Sequence, residues 1–214
     1  MNTQLNITEL RDRELANSHS CYNVHDHLKS MSIEELQSVS KEDRLPWHAA
    51  CLNVVGDLNI GTMIRTSHCL GASSVTIFGR RRIDNRSLVG SANYITVNKV
   101  PGLDNNSMID AEGFADFLLQ NSFTPIFVEC NGIPLHKVNW SIRISEMFRR
   151  NTQPCLIMGN ETGGIPDSVM SLVNVFSNSF VVSIPQRGVI RSLNVAVAHG
   201  IVASSMCSEM NWLG

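Results

Sequence analysis

Five short runs of apolar, β-favouring residues recur from residue 50 onward, at Ala50 to Val55, Ser74 to Phe78, Ile126 to Cys130, Cys155 to Met158 and Phe180 to Ile184. Between them lie stretches with helical period, at Ile60 to Leu70, Ala111 to Asn121, Asp167 to Val173 and Leu193 to Glu209. A run such as Phe180-Val181-Val182 lacks the alternation of a half-exposed strand and reads as buried on both faces. Buried parallel strands need crossover helices, so this alternation predicts an α/β domain built on a mostly parallel sheet flanked by helices. A further short strand is expected at Tyr94 to Val97, and no internal repeat is evident.

The first 45 residues differ, being charged and poor in β-branched runs. Ser32 followed by Glu35, just before Leu36, has capping-box spacing, and Leu45-Pro46-Trp47 closes the stretch because proline disfavours helix in the residue before it. Residues 1–45 are therefore expected to form a short helical N-terminal extension, and residues 46–214 the main domain. At 214 residues and 43% hydrophobic, the chain can bury one core without disulfides or metal.

Cys21, Cys51, Cys69, Cys130, Cys155 and Cys207 are scattered, with no C-x-x-C, and read as buried thiols in a reducing compartment. The histidines of Val24-His25-Asp26-His27 stand at i and i+2, which share no helix face, so no metal site is expected. Trp47, Trp140 and Trp212 read as packing residues. The polar, acidic amino terminus and the lack of an 18-residue apolar run point to a cytoplasmic protein with no membrane partner. A net charge of -2 gives no whole-molecule attraction to nucleic acid, so any such contact needs local charge. Arginines do cluster, at Arg80, Arg81, Arg82 and Arg86, and again at Arg187 and Arg191.

The G-x-G-x-x-G dinucleotide fingerprint is absent, which argues against a nicotinamide enzyme. Glycine and asparagine instead gather in three other segments. In the first, a strand is followed by Asp57 and Asn59, either of which could cap a helix carrying Arg65 in its second turn. In the second, Cys155 to Met158 runs into Gly159, Asn160, Glu161, Thr162, Gly163 and Gly164, at the strand edge where open α/β sheets bind ligands. In the third, a strand ends at Ile184-Pro185, and Ser192 caps a helix rich in small residues, including Ala196, Gly200 and Ala203. Each segment also has a plain structural reading: a cap, a solvated helix arginine, a tight turn.

In this order the segments resemble the three motifs of the SpoU family of RNA 2′-O-ribose methyltransferases, within the SPOUT superfamily. The first motif is matched by Asn59, Gly61 and Arg65, the second by Gly159, Asn160, Glu161 and Gly164, and the third by Ile184, Pro185, Ser192, Leu193 and Asn194. The resemblance implies a trefoil-knotted fold and an active site completed across a homodimer. It also implies S-adenosylmethionine held near Met158, Gly159, Asn160, Gly164, Ile184, Leu193 and Asn194. Asn59, Arg65, Glu161, Ser192 and Asn194 would surround the reacting ribose. Family precedent makes Arg65 a proton acceptor, whereas guanidinium chemistry favours a fixed positive charge; both readings stand, with Glu161 as an anchor.

The chain departs from the pattern at Gln186 and Arg191, and places His68 one turn beyond Arg65. Arg191 and His68 are expected to bias the site toward phosphate, with Arg80, Arg81, Arg82 and Arg86 as further RNA contacts. Transfer RNA is the favoured substrate. The alternatives are ribosomal RNA, a non-catalytic RNA-binding dimer of the same fold, and an unrelated nucleotide-binding enzyme.

Overall fold

The computed structural model describes residues 23–79, 88, 90–100 and 109–210. Cys21, Trp212 and the Arg80, Arg81, Arg82 and Arg86 cluster lie outside the described residues.

Six strands form one sheet: β1 (Leu45–Leu52), β2 (Ala72–Phe78), β3 (Thr96–Val100), β4 (Phe123–Pro134), β5 (Gln153–Met158) and β6 (Phe180–Ser183). Their order is β3-β2-β1-β5-β4-β6 and every pair is parallel, as the apolar runs predicted. The helices are α1 (Ile33–Glu42), α2 (Asp57–Cys69), α3 (Ala111–Gln120), α4 (Trp140–Arg149), the short α5 (Asp167–Met170) and α6 (Val195–Met210).

Successive β1 residues feed opposite cores, as strand geometry requires. Trp47, Ala49 and Cys51 pack in one core with Ile60 and Ile64 of α2, Ile144 and Met147 of α4, and Val202 and Met206 of α6. Ala50 and Leu52 pack in the other with Phe114 and Leu118 of α3 and Val169 of α5. Truncating a fully buried member such as Ile64 or Leu118 to alanine should cost about 2–5 kcal/mol.

The capping box at Ser32 and Glu35 is present, with both reciprocal bonds made. α1 is tied to the main sheet layer by Gln37, which donates to the Asn93 carbonyl, and by Ser40 and Arg44, which both donate to the Tyr94 carbonyl.

Several expectations need correction. β1 begins at Leu45, ahead of the expected Ala50, and takes in Pro46, which falls in a register irregularity between Leu45 and His48. Such irregularities accommodate a residue without an N–H. β3 lies at Thr96–Val100, slightly past the expected Tyr94 to Val97. The α4 helix was not expected, although Trp140, Ile144 and Met147 bury one face at i, i+4 and i+7, and Asn139 caps it by accepting from the Ile142 N–H at 3.1 Å. Asn194, not Ser192, caps α6, accepting from the N–H groups of Ala196 and Val197 at 2.9 and 3.3 Å. Neither Asp57 nor Asn59 caps α2, whose N-cap residue is Gly56. Cys69 and Cys130 are exposed, while Cys51, Cys155 and Cys207 are buried. Trp47 and Trp140 are buried, as packing residues should be.

Among the described residues no helix is long and apolar enough to cross a membrane, and no cluster of His, Cys, Asp or Glu could hold a metal.

Candidate functional site

β1 and β5 are neighbours, yet the chain leaves β1 toward β2 and β3 on one side and returns through β4 and β5 on the other. That reversal opens a crevice at the carboxyl ends of the strands, the usual ligand position in open α/β sheets. The loops after β1, β5 and β6 all emerge there, and these carry the three segments singled out in the sequence.

The loops are locked together by a few polar side chains. Asn160 donates from its amide to the Asn53 carbonyl at 2.7 Å, and its Oδ1 accepts from Thr162 and Gly163. Glu161 accepts from the Val55 and Gly56 N–H groups, both at 2.9 Å, and from Asn59 Nδ2 at 2.8 Å. The carboxylate therefore caps α2 from another loop, satisfying N–H groups that its own residues leave open. Asn59 Oδ1 in turn accepts from Asn194 Nδ2 at 2.9 Å. Glu161, Asn59 and Asn194, one residue from each segment, thus form a continuous hydrogen-bonded chain.

Partial burial works to raise the Glu161 pKa, but the bonds from Val55, Asn59 and Gly56 outweigh it and leave the group below its ordinary value. An anion held in this way is an anchor and a poor proton acceptor.

Two glycines permit the loop after β5. A side chain on Gly159 would run into the backbone of Gly164 and Ile165, with which the loop closes on itself. Gly164 has φ +67°, and its missing Cβ leaves room for Glu129. Glu129 Oε1 accepts from the Ile165 N–H at 2.8 Å.

Against these loops lies a cavity of about 480 Å³ at the ends of β4, β5 and β6. Met158, Gly159, Asn160, Gly164, Ile184, Leu193 and Asn194 line it, as do Glu161, Arg191 and Ser192. Val128, Glu129 and Cys130 also line it and had no place in the sequence reading. They sit where the β4–β6 register shifts between Val128 and Ile133, a bulge at the rim of a site. The signal available was their position at the carboxyl end of a predicted strand.

Arg65 is not in this cavity. It is exposed on α2, six residues after Asn59, which on an α-helix is about 9 Å along the axis and roughly 120° around it. It lines a separate cleft with His68, beneath the N-terminal extension. Arg191 and His68, paired in the sequence reading as phosphate-biasing residues, therefore belong to different cavities.

The cavity at the sheet edge has the size and mixed lining of a small-molecule site. Its volume falls in the range of small-ligand sites, and its apolar walls of Val128, Met158, Ile184 and Leu193 are joined by the polar Glu129, Asn160 and Asn194.

The fold resembles several solved structures. A TrmH/SpoU tRNA modifying enzyme of A. aeolicus is 18% identical, with a TM-score of 0.64 over 85% of this chain and 84% of that one. AviRb from Streptomyces viridochromogenes, a SpoU methyltransferase solved in complex with AdoMet, is 21% identical, with a TM-score of 0.58 over 78% of this chain and 58% of that one. An AdoMet-bound rRNA methyltransferase from Sinorhizobium meliloti is 22% identical, with a TM-score of 0.58 over 80% and 59% of the two chains. The chain thus spans under two thirds of the length of the last two, and at such identities the likeness is one of fold. No curated protein sequence matches it. The sequence profile of the SpoU rRNA Methylase family, by contrast, matches residues 47–204, from β1 to the middle of α6. That span contains all three loops that meet at the sheet edge, and on this ground the chain belongs to the SpoU rRNA methylase family.

Proposed function

We propose that this RNA methylase transfers a methyl group from S-adenosylmethionine to a ribose 2′-hydroxyl, with transfer RNA as the favoured substrate. The observation that carries this reading is the Glu161–Asn59–Asn194 chain of hydrogen bonds, which binds the three motif segments into one wall beside the cavity. S-adenosylmethionine, when bound, supplies the methyl group on a sulfonium centre. Met158, Gly159, Ile184 and Leu193 would hold it, with Asn160 and Gly164 shaping the loop beneath. Ser192 and Asn194, at the mouth, would orient the ribose, and Glu161 would keep the wall in place.

Transfer RNA is favoured because a neighbour that matches this chain over most of both lengths is described as a tRNA modifying enzyme. The other two neighbours, one of them described as acting on rRNA, extend well beyond the matched region.

Arg65 enters by the homodimer that the family resemblance implies, the partner chain lending its arginine to this cavity. Supporting this are the exposed apolar side chains Leu58, Leu193, Val197 and Ile201 on α2, α6 and the loop before α6. A large exposed apolar patch is a common mark of an interface. Gly200 belongs to the same face: a Cβ there would make only an ordinary contact with Thr66, so packing within one chain does not demand glycine. Arg65 then acts as a fixed positive charge that stabilises the developing oxyanion and orients the neighbouring phosphate.

The test is transfer of labelled methyl to unfractionated transfer RNA and to ribosomal RNA, followed by nucleoside analysis. A 2′-O-methylnucleoside from the transfer RNA is the expected product. A base-methylated product would refute the ribose assignment. Mixing separately inactive Arg65→Ala and Asn194→Ala proteins should restore roughly a quarter of full activity if two chains share each site; no recovery on mixing would refute the shared site.

A further inference from the structure

The cleft that holds Arg65 is a cavity of about 550 Å³ between the N-terminal extension, α2 and the segment around Tyr94. It shares no lining residue with the cavity at the sheet edge. Its lining combines apolar, aromatic and charged side chains, with Arg65 and His25 as basic groups and Asp43 as a carboxylate. Val24, Leu28 and Val39 give it apolar lining, and His68, which lies against the Tyr94 ring at 5.8 Å and 30°, gives it an aromatic part. Arg65 is exposed and forms no ion pair with a carboxylate among the described residues.

The described part of the extension, from Asn23 onward, lines this cleft without filling it. The bonds from Gln37, Ser40 and Arg44 fix α1 against Asn93 and Tyr94, yet Leu36 is the one residue of α1 that is buried. An appendage kept for core stability would close on the apolar lining. This one leaves Val39 37% exposed at its rim.

We infer that this cleft is a nucleotide subsite, in which Arg65 takes the phosphate and a splayed base lies against the His68–Tyr94 rings and the apolar side of the extension. The inference rests on the RNA-methylating function above and assigns the extension a part in it. Single-stranded RNA is read by unstacked bases laid on aromatic side chains, and Arg65 is also the arginine expected to reach the reacting ribose of a neighbouring site. Burial, and then the positive charge of Arg44, hold the His68 pKa below its ordinary value, so the ring is neutral and can offer one donor and one acceptor to a base edge.

The experiment uses the full chain. Affinity for unfractionated transfer RNA is measured for the unaltered protein and for Val39→Trp, which fills the cleft from its exposed rim. His25→Glu, which sets a like charge against phosphate from an exposed position, is measured in parallel. Affinity for S-adenosylmethionine is measured alongside as the control for folding. The stacking of one base sets the scale, so RNA affinity should fall roughly tenfold or more in Val39→Trp, with cofactor affinity within about twofold. Addition of uridine 5′-monophosphate to cofactor-saturated protein should shift the His68 ring resonances.

RNA affinity unchanged in both variants, or shifts confined to the sheet-edge cavity, would overturn the subsite while leaving the methyltransferase reading intact. Failure of the unaltered protein to bind RNA would overturn both. Should Val39→Trp lose cofactor binding, and hence its fold, His25→Glu and the nucleotide shifts decide the matter.

Discussion

Replacing Glu161 by glutamine keeps the side chain's shape and removes its charge. The carboxylate accepts three hydrogen bonds, from Val55, Gly56 and Asn59. An amide can present its single oxygen to at most two of them, and its NH2 would confront the third donor. If the group were buried, bonds to an ionised acceptor at about 1.5–3 kcal/mol each would make this a severe lesion. Glu161 is exposed, so water replaces much of what is lost and the helix-cap scale of about 0.5–2 kcal/mol applies instead. In a chain of this size about 1–2 kcal/mol corresponds to roughly 2–8 °C in Tm.

The pH dependence follows from the lowered Glu161 pKa. A carboxyl with a depressed folded pKa contributes stability that is present above its unfolded value, near 4.3, and is lost as pH falls through the folded value. The Glu161→Gln difference should therefore be full near pH 7 and shrink as pH falls below the ordinary carboxyl range and through the lowered folded value, where the native side chain is itself protonated. Thermal unfolding followed by circular dichroism at several pH values measures this. An equal loss at both ends, or none near pH 7, would show that the carboxylate is not what holds the loops.

Three further outcomes are expected. Arg65→Ala should lower the methyl-transfer rate by roughly a hundredfold or more while Tm and S-adenosylmethionine affinity stay put, because the side chain is exposed and outside the cofactor cavity; activity within a few-fold of the unaltered protein would exclude it from the chemistry. Gly159→Ala should abolish cofactor binding by calorimetry, since its Cβ would meet the Gly164 and Ile165 backbone; normal affinity would show that the loop has slack the structure does not suggest. His199 and His48 are buried, which pushes their pKa values down to about 4 and about 3. The unfolded chain takes up these protons first, so stability to urea should fall as pH drops from about 6.5 toward those values; a flat profile across that window would contradict their burial as neutral rings.

The sheet was legible because parallel strands buried on both faces leave continuous apolar runs, and all five expected strands exist. Their ends were less legible: β4 runs to Pro134 because its bulge carries exposed residues such as Cys130 that do not look like strand. α4 was missed for a similar reason, its three buried residues being diluted by Arg143, Glu146 and Arg149. In the site, the motif residues of the second and third segments, Pro185 excepted, converge on one cavity, and Asn59 joins them by hydrogen bonds. Arg65 does not: six residues along α2 carry it about 9 Å from Asn59 and roughly 120° around the helix, a consequence of the spacing that became legible only once the segment was known to be one continuous helix. The capping of α2 by Glu161 was equally invisible, since cap rules look within a few residues and this partner is 105 positions away from Gly56.

That distance bears on the order in which the molecule is made. The first turn of α2 is finished by a residue on the far side of β5, and Asn59 is joined to Asn194 across 135 positions. The first contact must wait for the chain to pass β5 and the second for it to pass β6, with the sheet closed around β1, so loop-closure entropy places both late. Contacts absent from the folding transition state slow unfolding without hastening folding. The wall of the site is therefore a latch, set last as the chain folds, and hydrogen exchange in the cofactor-free protein should find it the first part to open.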